Sequence, residues 1–139
     1  MNDVFFQLDQ ITYSYIDGNR KRIILNNLSY DFVKGNVHFF CINSDVNEPD
    51  GIDSSSVQAQ WLRSGLQQSS QKYNLVYFHH PPYSSSEHGP QSIMQWPFKS
   101  WGASVVLAGH DHSYERLYID SLTYIVNGLG GRSIYSFIN

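Results

Sequence analysis

Tyr73-Asn-Leu-Val-Tyr-Phe78 runs directly into His79, and Ala103-Ser-Val-Val-Leu-Ala108 reaches His110 after one glycine, Gly109. Each run is six residues long, mostly apolar, and bounded by polar or Gly/Pro positions, which predicts strands buried on both faces. In open α/β sheets ligands bind where strands end at their carboxyl side. Two neighbouring parallel strands that each end in histidine therefore bring two imidazoles to one crevice. His110 and His112 are two residues apart, so in extended backbone both rings face one side and Asp111 the other. Ring nitrogens of His79, His110 and His112 are then expected within roughly 3 to 7 Å of one another, a ligand pattern for Zn, Fe or Mn.

Outward from these runs, Ser55 with Gln58 fits a capping box, and Val57, Trp61, Ala59, Leu62 and Leu66 form the apolar stripe of a helix. Ser92–Ser100 reads as a weak helix interrupted by Pro97. Leu28–Val33 and Val37–Ile42, joined by Lys34-Gly35-Asn36, read as a β-hairpin. Earlier aromatic and β-branched runs, Val4-Phe-Phe and Ile11–Ile16, are separated from the rest by the turn signal Asp17-Gly18-Asn19. Three further strand-like runs follow: Ser113–Ile119, Leu122–Val126 and Ser133–Ile138. The order of elements is that of a layered α/β fold.

The chain has 139 residues, enough for one domain of ordinary size. Charged residues are only 15%, so 19 Ser, 10 Asn and 9 Gln must cover much of the surface. Aromatics reach 15%, far too many for a disordered chain. A net charge of −3, with basic residues clustered only at Arg20-Lys21-Arg22, argues against a nucleic-acid partner. No apolar run approaches the roughly 20 residues of a membrane helix. The lone Cys41 rules out an internal disulfide and, in its apolar strand, reads as a small core residue.

Val76-Tyr-Phe-His79 and Gly109-His-Asp-His112 resemble the V-x-x-H and G-H-x-H blocks of the calcineurin-like metallophosphoesterases. The flanks Phe78-His-His-Pro-Pro-Tyr-Ser-Ser85, Trp101–Arg116 and Val126-Asn-Gly-Leu-Gly-Gly131 are similar to the purple acid phosphatase branch. The resemblance covers residues 28 to 137 and makes residues 1 to 139 a partial domain of that family, a layered β-sandwich flanked by helices. It implies hydrolysis of phosphomonoesters by a metal-activated water at a dinuclear centre. Iron would be paired there with iron, zinc or manganese. One ion would take His79 and His110, the other His112, with His88 contacting phosphate or protonating the leaving group. His80 reads as structural, behind the stiff Pro81-Pro82. Gly128-Leu-Gly-Gly131 precedes a strand, so it is no dinucleotide fingerprint, and its glycines are expected to let backbone pass close to the pocket.

Three earlier family blocks, G-D-x-G, G-D-x-x-Y and G-N-H-D/E, are absent from the sequence. With them go the bridging carboxylate and other donors, and Asp45 and Asp53 lie in loops with no motif around them. The chain is therefore expected to be the C-terminal half of such a domain, partnered by a missing N-terminal half. Alone it should bind at most one divalent ion weakly. The alternative is a non-catalytic metal- or phosphate-binding fragment, or a pseudoenzyme. The resemblance suggests an exported parent, whereas Met1-Asn-Asp-Val-Phe-Phe-Gln lacks the regions of a signal peptide.

Overall fold

A computed structural model describes residues 4–17, 20–33, 35–130 and 133–135. The chain divides into two compact units, Met1–Asn36 and Val37–Asn139. In the first, β1 (Val4–Asp17) and β2 (Arg20–Val33) pair antiparallel from Val4↔Val33 to Asp17↔Arg20. The tip residues Gly18-Asn19 lie outside the described residues. Register shifts interrupt the ribbon between Leu8 and Ile11, where Gln10 takes a positive φ of 49° and its N–H donates to Ser29 Oγ at 2.9 Å. That is the signature of a bulge, which twists a long ribbon.

The second unit holds one five-stranded sheet in the order β3-β4-β5-β7-β6. Its strands are β3 (Val37–Cys41), β4 (Tyr73–Phe78), β5 (Val105–Ala108), β6 (Tyr114–Ile119) and β7 (Leu122–Asn127). β3, β4, β5 and β7 run parallel, and β6 is antiparallel at the edge beside β7. Asp120 and Ser121, both at positive φ, make the tight turn between β6 and β7. Helix α1 (Val57–Gln68) links β3 to β4, and a 3-10 turn (Ser92–Met94) with one helical turn, α2 (Phe98–Trp101), links β4 to β5. The weak helix expected over Ser92–Ser100 is thus two short pieces broken beside Pro97.

Six expectations need correction. No hairpin joins Leu28–Val33 to Val37–Ile42, because β2 spends its ladder on β1 while β3 pairs with β4 and sends Phe40 into the core. The helix cap is Ser56, whose Oγ accepts from the Ala59 N–H at 3.2 Å, and Ser55 instead bonds Asp53. Ala59, Leu62 and Leu66 are buried, but Val57 and Trp61 are 63% and 55% exposed, so the stripe is narrower than its sequence. Cys41 is exposed, not a core residue. The strands are buried on one face only. Val76, Phe78, Val106, Leu122 and Tyr124 pack against α1, Met94, Trp96 and Phe98, while Leu75, Leu107 and Ile125 are half-buried and Tyr77 is exposed. Of the expected last strand, Ser133–Tyr135 is irregular and the remainder lies outside the described residues.

Gly65 permits the close seat of α1 on the sheet, since a Cβ there would lie 2.7 Å from Phe40 Cε1. Among the described residues no helix is long and apolar enough to cross a membrane.

Candidate metal centre

The parallel strands β3, β4, β5 and β7 all end at one edge of the sheet, and the histidines gather there. Phe78 pairs with Ala108, which sets His79 level with Gly109, and the Gly109 N–H donates to His79 O at 3.0 Å. One residue later the chain turns sharply. His110 holds a left-handed φ of 65°, and the Asp111 N–H donates back to Gly109 O at 2.8 Å. A non-glycine residue in that region stores strain that the surroundings must hold, a feature that clusters at functional sites. The turn places His110 Nδ1 3.0 Å from His79 Nε2.

A third imidazole joins them. One ring nitrogen from each of His79, His80 and His110 lies within 4.8 Å of the others. The His80 ring centroid is 4.7 Å from that of His79 and 4.5 Å from that of His110. His88, on the loop after β4, sets its ring 4.4 Å from His110. His112 stands apart from this trio: its Nδ1 is 2.9 Å from Ser133 O, and its ring stacks on Tyr135 at 4.4 Å. Tyr135 also meets His88 edge-on at 5.2 Å, so it lies between the two histidines.

Electrostatics favours neutral rings. Burial lowers the pKa of His79, and the His80 imidazole lowers it further. For His110 burial again leads, followed by His80, His88 and His79. Neutral imidazoles are what a cation requires. Around one tetrahedral ion with bonds of about 2.1 Å, ligand nitrogens stand about 3.4 Å apart, and the trio fits that scale. The group comprises histidines alone, a donor set suited to a borderline divalent ion such as Zn.

Asp111 is fully buried. Its carboxylate accepts from the Ser84 hydroxyl and, at 2.9 Å, from the His88 N–H. It thereby ties the His88 loop to the strand end. Glu115 adds a second tie by accepting from Ser85 N–H at 3.0 Å and from its hydroxyl. From behind, Gly128 passes so close that a Cβ would lie 2.2 Å from Asp111 O, the role expected of that glycine stretch. Sequence reasoning missed His80 as a member of the cluster, because strict strand alternation turns it away from His79. The signal lay in Pro81-Pro82, which follow it and end the strand.

A family model for the calcineurin-like phosphoesterases matches residues 4–114. The chain belongs to that family. Among curated proteins it is similar to tartrate-resistant acid phosphatase type 5 of Oryctolagus cuniculus, 29% identical over 101 residues, 69% of this chain and 31% of that protein. The Homo sapiens protein of the same name gives 29% over 65% of this chain. Purple acid phosphatase 15 of Arabidopsis thaliana gives 31% over 121 residues, 75% of this chain and 22% of that protein. The chain thus spans about a third of the length of the first of these relatives. Among solved structures, GAP50, described as the anchor in the inner membrane complex of Plasmodium, superposes with a TM-score of 0.56 at 18% identity. That match covers 88% of this chain and 38% of GAP50 and speaks to the phosphoesterase fold alone.

Proposed function

We propose that this chain takes part in metal-dependent hydrolysis of phosphomonoesters at a dinuclear centre, with carboxylate donors supplied by a further portion of a longer chain. The observation that carries this reading is the meeting of His79 and His110 at the ends of two adjacent parallel strands. In this reading one ion is held by His79 and His110, the other by His112. Its Nδ1 faces a carbonyl, which makes that nitrogen the N–H donor and leaves Nε2 with its lone pair. Ions so bound polarise phosphoryl oxygens and acidify a water.

The chain's own residues do the rest. The lowered pKa values of His79 and His110 favour neutral rings that present lone pairs. His88, tethered through its backbone to Asp111 and beside His110, hands a proton to the departing alkoxide. The family membership and the acid phosphatase relatives support the reaction class. A non-catalytic role in binding a metal or phosphate is the second reading, favoured by the absence of any carboxylate from the histidine group among the described residues.

The test is a chromogenic phosphomonoester assay with added Zn, Mn or Fe, run on this chain and on a version extended upstream. Metal-dependent turnover in the longer version alone, reduced about 10²–10⁴-fold in His88→Asn, is the expected result. No turnover in either version would leave the binding role.

A further inference from the structure

We infer that His80 is a metal ligand, completing with His79 and His110 a three-imidazole site for a single borderline divalent cation. This goes beyond the pair of strand-end histidines that the proposed function uses, and it depends on no catalytic step.

The first support is geometric. His79 and His80 lie just past the last residue of β4, where the chain bends, and consecutive side chains no longer diverge as they do within a strand. Pro81 and Pro82, both buried, hold that bend. The result is the convergence already described: three nitrogens within 4.8 Å from three histidines on two strand ends.

The second support is the way His80 is held. Its Nδ1 lies 3.1 Å from Ser44 O and 2.9 Å from Ser44 Oγ, and the His80 N–H donates to the same Oγ at 2.9 Å. The carbonyl oxygen only accepts, so a hydrogen on Nδ1 satisfies it and leaves Nε2 its lone pair, whereas a Ser44 hydroxyl donating to Nδ1 belongs to the other tautomer. Ligating histidines are commonly fixed in this way, with the far N–H given to a backbone carbonyl. Ser44 is itself rigid: it is 1% exposed and lies two residues after Ile42, whose N–H donates to Tyr77 O at 3.2 Å. The loop after β3 thus supplies the anchor for a ligand borne just past β4. Three protein ligands leave a fourth tetrahedral position open, where a water or a phosphate oxygen can enter.

The experiment is a Zn titration of the chain labelled with 15N-histidine, followed through the ring nitrogen resonances. One equivalent of Zn is expected to shift His80 Nε2 together with one nitrogen each of His79 and His110, leaving His112 unmoved. Calorimetry should then show binding by His80→Asn weakened about tenfold or more, with Ser44→Ala, which keeps the carbonyl and loses only the hydroxyl, weakened less. The ring resonances are read in the unmodified chain, so a variant that fails to fold does not blunt the test. Shifts at His79 and His110 with His80 silent, or at His112 in its place, would overturn the inference and leave the proposed function standing. Silence at every ring would overturn this inference alone, because the proposed function draws its carboxylate donors from a longer chain. Shifts at all three rings without turnover in the extended version would retain this site and remove the hydrolytic role.

Discussion

At His79 and His110, burial withdraws water from the rings and neighbouring imidazoles oppose a further positive charge, so both pKa values fall below 6.5. The sign for metal binding follows. Protons compete with the cation only once the folded rings can take them up, below the ordinary histidine range. Zn affinity should hold between pH 7.5 and 6.5 and decline as the pH drops further. Calorimetric titrations at three pH values check this, and a steep loss already above 6.5 would contradict it. Asp111 is a second residue-scale lever. Asp111→Asn turns one acceptor into a donor facing the Ser84 hydroxyl or His88 N–H. It should cost about 1–3 kcal/mol of folding stability. Gly128→Ala, with its Cβ forced against Asp111 O, should cost about 1–3 kcal/mol by overpacking the backbone behind the site. Urea unfolding measures both.

At the scale of the element, α1 fixes the sheet's covered face. Ser56 supplies its cap, and the Ser55 hydroxyl donates to Asp53 in the preceding loop. Ser56→Ala should therefore lose about 1 kcal/mol, and Ser55→Ala distinctly less. Leu62, wholly buried, anchors the helix against the sheet. Leu62→Ala should cost about 2–5 kcal/mol, the range for a cavity left in a core that cannot collapse around it. Chemical denaturation of the three variants side by side orders them. Equal losses for Ser55 and Ser56 would put the helix start one residue earlier.

Across the whole second unit the sheet is unequal on its two sides. One face is sealed by α1, the 3-10 turn and α2, while the other carries exposed Phe39 and Tyr77 beside half-buried Leu75, Leu107 and Ile125. Apolar surface of that kind, flanked by open sheet edges, promotes association. Sedimentation velocity of this chain should show concentration-dependent oligomers. A clean monomer with one cooperative thermal transition would show instead that these residues cover their own surfaces.

The residues by themselves marked β4 at its observed ends, Tyr73–Phe78, and placed His79 and His110 at the ends of adjacent parallel strands. Apolar runs and their polar boundaries are local, so composition along the chain suffices to read them. The family blocks were legible for the same reason, being short runs of contiguous residues. Partner choice was not local. The turn Gly35-Asn36 suited a hairpin, yet β3 went to β4, because pairing is decided by which neighbour buries Phe40. One-sided burial of the strands escaped for the same reason: an apolar side chain does not record whether anything packs on it. His80 was likewise decided in three dimensions. Strand periodicity turned it away, and only the bend held by Pro81-Pro82 and the hydrogen bonds from Ser44, in the loop after β3, brought its ring to the others.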